Sequence, residues 1–116
     1  MTYRVEISLT AMADVEGIFL WMKDYSVDRA HRWVRGCYEI MLTLENFPNR
    51  CSLAIESQYL NRPVRQLLYK KEYRILFTVR TGNDQDSQDI VQIHRVLRAA
   101  QERLQDLSQL LGDEDD

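Results

Sequence analysis

The sequence predicts an α+β fold: a small single domain, β-α-α-β-β-β-α, with a helical hairpin packed on one face of a mostly antiparallel sheet. Three observations carry this. Residues 27–46 repeat apolar side chains at steps of three and four. Residues 64–69 and 73–80 alternate across the three-residue link Lys70–Lys71–Glu72. Short links join the last three strand patterns, and short links favour antiparallel neighbours.

The elements follow in order. In YRVEIS, residues 3–8, Tyr3, Val5 and Ile7 oppose Arg4 and Glu6, the alternation of a half-buried strand. Ser8 or Thr10 can cap the next helix, with Asp14 and Glu16 near its positive end. Val15, Ile18, Phe19 and Met22 form its apolar stripe, and Asp24–Tyr25 ends it. Ser26 caps the second helix, predicted over 27–46. Ala30, Val34, Cys37, Met41 and Leu44 make its inner face, and Trp33, Ile40 and Phe47 widen it. Pro48 and Asn49 terminate it. Residues 48–62 show no period and read as a loop. After the 73–80 strand, GNDQDSQ at 82–88 reads as a turn and DIVQIHRVL at 89–97 as the last strand. Leu97, Ala100, Leu104, Leu107 and Leu111 then step at helical spacing. This leucine stripe needs a cover: the chain's own sheet, a second copy or a partner. With one face covered by the hairpin, the other face of the sheet is expected to stay open. The domain is expected to end near 105, with 106–116 as an acidic tail.

Charge is unevenly placed. The chain of 116 residues carries a formal charge of −3. Its last eleven residues hold five acids and no base. Residues 62–80 hold six bases (Arg62, Arg65, Lys70, Lys71, Arg74, Arg80) against the single acid Glu72. Such a patch suits a polyanion or an acidic partner, and also an ordinary solvated sheet face. Cys37 sits on an apolar helix face, where a free thiol packs as a small hydrophobe. The N-terminus runs directly into a strand pattern, and no apolar run is long enough to span a bilayer. The expected setting is therefore the cytoplasm, with reduced thiols. No zinc-like Cys/His spacing and no glycine-rich phosphate loop occurs, so neither metal nor cofactor is expected. His31 reads as a boundary residue of the second helix. His94, on the last strand, reads as lining either face.

Several segments, in order, carry a resemblance. They are YRVEIS with Ala13 and Asp14, LENFPNRCSLAIE, VRQLLY, YRILFTV and IVQIHRVLRAA. Together, over about residues 3–101, they resemble the RelE/ParE toxin superfamily of bacterial type II toxin–antitoxin systems, the plasmid-stabilisation type of toxin. The resemblance implies a growth-inhibiting toxin neutralised by a cognate antitoxin. It leaves two targets: DNA gyrase for ParE-like members, and mRNA in the ribosome for RelE-like endoribonucleases.

RNA cleavage needs a base for the 2′-hydroxyl, an acid for the leaving oxygen and cations for the phosphate. By the resemblance, Arg65 stands where relatives often carry Lys or Arg. Arg74 matches the strand arginine that contacts phosphate in the nucleases. Arg98 replaces a common His, Gln101 an Arg, and Leu67 a second catalytic Lys. Arginine is a poor general base because it stays protonated. Arg65, Arg74 and Arg98 therefore read as an anion site lacking an acid–base pair. Arg74 also reads as a structural brace, with Glu56 as a partner. These departures favour gyrase inhibition slightly over mRNA cleavage, and a degenerate, non-toxic binding module stays a third reading. Arg62, Lys70, Lys71, Arg80 and Arg95 are candidate target contacts. Leu104, Leu107 and Leu111 are candidate contacts to the antitoxin or to a second copy in a homodimer.

Overall fold

The computed structural model describes residues 2–82, 88–99 and 110. The elements are β1 (Arg4–Ile7), α1 (Leu9–Lys23), α2 (Val27–Leu42), α3 (Glu56–Leu60), β2 (Arg65–Tyr69), β3 (Tyr73–Arg80) and β4 (Ile90–Arg98). The four strands form one sheet in the order β1-β4-β3-β2. β1 runs parallel to β4, and the other neighbours are antiparallel.

Both helices of the hairpin start on serine caps. The Ser8 hydroxyl accepts the Ala11 amide at 3.0 Å, and that of Ser26 accepts the Arg29 amide at 3.2 Å. Ser8 also donates its hydroxyl to the His94 carbonyl at 3.1 Å. Its amide donates to the Ile93 carbonyl at 3.0 Å. One residue thus ends β1, starts α1 and ties both to β4.

The hairpin buries Ala11, Val15, Trp33, Cys37 and Met41 against Tyr73, Ile75, Phe77, Val91, Ile93 and Val96 of the sheet. Alternation along β3 puts Tyr73, Ile75 and Phe77 under the helices and Arg74 and Leu76 on the other face. His94 is the extra residue of a β-bulge, since Leu76 pairs with Arg95 but Phe77 with Ile93.

Three expectations need correction. The second helix stops at Leu42, and a 3-10 turn at Thr43–Glu45 follows. Phe47 therefore lies beyond the helical face, in the left-handed region (φ 49°) and 81% exposed. The stretch read as a loop carries α3 and pairs with β2. Ala54 N–H donates to Val64 O, Gln66 N–H donates to Ser52 O, and the Ser57 hydroxyl bonds both the Val64 amide and its carbonyl. Five residues are too short for a legible helical period. Finally, the second face of the sheet is not open at its centre. Ala54, Leu60 and Val64 pack there on Leu76 and Leu97, together with the fully buried Leu110. Of the expected closing helix, Leu97 belongs instead to β4, and beyond residue 99 Leu110 alone is described. Leu104, Leu107 and Leu111, the turn residues 83–87 and the acidic tail lie outside the described residues.

Candidate functional site

The structure does not bring Arg65, Arg74 and Arg98 together. Register pairs Arg65 with Phe77 and Arg98 with Tyr73, which places both on the hairpin side. Arg74 pairs with Leu68 and Leu97 and points to the opposite side.

Each arginine is engaged differently. Arg65 donates from Nη1 to the Cys51 carbonyl at 2.6 Å and more weakly to that of Asn49. It holds the 3-10 turn at Pro48–Arg50 against the edge strand. Arg98 lays its guanidinium 4.9 Å from the ring centroid of Trp21, a cation–π contact with α1. Arg74 is buried. Its Nη1 donates to Glu56 Oε2 at 2.9 Å, its Nη2 donates to Glu56 Oε1, and its Nε donates to Gln66 Oε1 at 3.1 Å. Glu56 is fully buried, and α3 exists to deliver it. The bidentate pair with Glu56 and the bond to Gln66 together engage all three nitrogens of the guanidinium fork. The brace reading of Arg74 is thus the one the geometry supplies.

The remaining expected residues fall into two groups. Arg62, Lys70, Lys71 and Arg80 are exposed along the β2–β3 side. Arg95 is instead paired with Asp14: its Nε donates to Oδ2 at 2.7 Å and its Nη2 to Oδ1 at 3.1 Å. The same carboxylate accepts the Val96 amide at 2.9 Å. β1 pairs with β4 only as far as Ile93, so β4 presents an unpaired edge beyond that point. Asp14 covers it, which explains an acid in the middle of a helix. Asp14, Gly17, Trp21 and Arg98 then line a cleft of about 310 Å³ between α1 and the end of β4.

Candidate proton carriers are poorly suited. Burial pushes the Tyr69 hydroxyl above its ordinary value of 10.0, as do Cys37, Glu39 and Tyr73. Burial does the same for Tyr73, with Glu72 adding to the rise and Arg98 and Arg29 opposing it. Tyr69 donates its proton to the Trp33 carbonyl at 2.8 Å. His94 is buried and its Nε2 lies 2.8 Å from the Thr78 hydroxyl. Among the described residues no three His, Cys, Asp or Glu side chains group as a metal site. None of their helices is long and apolar enough to cross a membrane.

On the outside of the hairpin lies a different surface, a groove of about 530 Å³. Met12, Phe19, Val34 and Tyr38 give it an apolar floor, and Glu16 and Arg35 charge its rim. Its residues cannot be told from core in the sequence, because a helix stripe looks the same whichever way it faces.

The family model for the ParE toxin of type II toxin–antitoxin systems, parDE, matches residues 5–103. The chain belongs to the ParE toxin family. Membership implies an antitoxin partner. A solved chain from the chromosomal ParDE toxin–antitoxin system of P. aeruginosa has a similar fold, with a TM-score of 0.63. It is 19% identical, and the alignment covers 84% of this chain and 96% of that one. No curated protein matches the chain in sequence.

Proposed function

We propose that this ParE-family chain is a cytoplasmic toxin that arrests growth by inhibiting DNA gyrase until a cognate antitoxin neutralises it. The observation that supports gyrase over mRNA cleavage is the buried Arg74–Glu56 pair. The strand arginine that would hold a scissile phosphate has its guanidinium committed to a carboxylate. Tyr69 and Tyr73, on the opposite face of the sheet, are shifted away from neutral-pH proton transfer. Catalysis by general acid and base needs the opposite shift.

Target contact then falls to the exposed cations Arg62, Lys70, Lys71 and Arg80. The antitoxin presents an amphipathic helix to the apolar groove of the hairpin and acidic residues to the 62–80 patch. Leu104, Leu107 and Leu111 add contacts to the antitoxin or to a second copy. Deleting 102–116 tests that role by antitoxin affinity and oligomeric state. It also removes Leu110 from the second cluster, so the truncated chain is expected to be less stable.

Purified toxin in a gyrase supercoiling assay tests the main reading, with primer extension of an mRNA from arrested cells as the second arm. Loss of supercoiling with intact mRNA is expected. Unimpaired gyrase with codon-positioned cuts would replace this reading with a ribosome-dependent nuclease. Expression without arrest would favour a degenerate binding module.

A further inference from the structure

Among the described residues, one buried side-chain nitrogen or oxygen has no hydrogen-bond partner: Nε1 of Trp33. Trp33 is 2% exposed, and its ring packs edge-on against Tyr73 with centroids 4.9 Å apart. A buried N–H left unpaired is costly, so this end of the hairpin is not built for stability alone.

Trp33 lines a cleft of about 380 Å³ at the end of the hairpin. Arg29, Arg32, Lys70, Glu72 and Tyr73 line it too. The cations come from two elements. Arg29 and Arg32 stand one turn apart on the first half of α2. Lys70 comes from the β2–β3 turn. No ion pair within 4 Å joins Arg29, Arg32, Lys70 or Glu72 to another described residue.

Both placements work against stability. The helix N-terminus is its positive end and disfavours Arg29. Lys70 has φ 53° and Lys71 φ 62°, a left-handed pair that a turn normally fills with Asn or Gly. Three cationic side chains from two elements thus line one cleft at a local cost to the fold.

We infer that this cleft is a phosphate-binding site, in which Arg29, Arg32 and Lys70 neutralise a phosphate group held beside the buried Trp33 ring. A tetrahedral oxyanion offers acceptors in enough directions for two guanidinium groups and an ammonium at once. The cleft has room for the phosphate and part of a molecule that carries it. Glu72 sets the affinity by adding one opposing charge. The inference is separate from the choice of toxin target.

The chain contains two tryptophans, so its NMR spectrum has two indole N–H signals. Inorganic phosphate, titrated at constant ionic strength against chloride, is expected to move the Trp33 signal saturably. The Trp21 signal, in the other cleft, serves as internal control. Arg29→Ala/Arg32→Ala should weaken binding by at least about tenfold, and Glu72→Gln should strengthen it. All three sites are exposed, so the variants are expected to fold, which the spectrum itself verifies. Adenosine monophosphate in a parallel titration separates the sources: tighter binding than phosphate points to a phosphate ester, equal or weaker binding to the free anion. A Trp33 response matched by chloride, or unchanged in the folded double-arginine variant, would overturn the site.

Discussion

Gly36 lies directly under the hydroxyl of Tyr69. A Cβ built at position 36 would stand 2.3 Å from that oxygen, which is closer than packed atoms come. The missing side chain lets Tyr69 reach across from β2 and donate to the Trp33 carbonyl. The contact docks the edge strand on the helix.

Gly36→Ala is therefore expected to destabilise the protein, although alanine gains about 1 kcal/mol of helix propensity. Overpacking costs about 1–3 kcal/mol, and loss of a buried hydrogen bond adds to it. Gly17, in α1, has nothing within 4 Å of its Cβ position. Gly17→Ala should stabilise by about 0.5–1 kcal/mol. Urea unfolding of both variants checks the pair. Equal gains from the two substitutions would refute the close approach.

The β2–β3 turn carries removable strain. Lys70 and Lys71 both adopt positive φ, which costs an L-residue with a Cβ about 1–2 kcal/mol. Lys70→Asn/Lys71→Gly should raise stability by about 1 kcal/mol, part of the relief being offset by the freer unfolded chain. Thermal unfolding measures it. If the lysines serve a ligand or target, the same variant loses that binding while gaining stability.

These positions show which parts of the molecule were legible in the sequence. β3 was readable to its ends because Tyr73, Ile75 and Phe77 alternate without interruption between the turn lysines and Arg80. Ser26, followed by a four-three repeat, marked the start of α2. Glu56 could be named as a brace for Arg74, but not the helix that carries it, because ESQYL is too short to show a period. The Asp14–Arg95 contact joins residues 81 apart, and the bulge at His94 depends on the pairing with β3. Such facts belong to the register between strands, which local patterning does not encode. For the same reason the sequence does not reveal that alternation separates Arg74 from Arg65 and Arg98.

Alkaline pH should expose the buried thiol. Burial raises Cys37 from its ordinary 9.0 to about 12. The fold favours the neutral thiol, so its stabilising effect is complete below pH 9.0 and drains as pH rises towards about 12. Cys51 is raised as well, chiefly by burial, against Arg50 and Arg65. The hydroxyls of Tyr38, Tyr69 and Tyr73 join the same trend from 10.0 upward, each raised chiefly by desolvation. One proton withheld corresponds to at most about 1.4 kcal/mol per pH unit. Unfolding free energies measured across pH 8.5–10 should therefore fall less steeply in Cys37→Ala than in the wild type. Identical slopes would show that the thiol titrates normally in the folded chain.

Arg74 provides the test that separates structure from activity. Its partner Glu56 is fully buried, and Arg74 itself is 7% exposed. Breaking a buried pair leaves an uncompensated charge and costs about 3–5 kcal/mol, whereas replacing both partners with apolar groups is often near neutral. Against a total stability of about 5–15 kcal/mol, Arg74→Ala alone should lower the melting temperature sharply or prevent folding. Arg74→Met/Glu56→Leu should recover most of the loss. Growth arrest is expected to follow the fold: absent in the single variant and restored in the double one. A double variant that folds with wild-type stability yet leaves cells growing would show that the Arg74 guanidinium acts on the target, and would return the nuclease reading to first place.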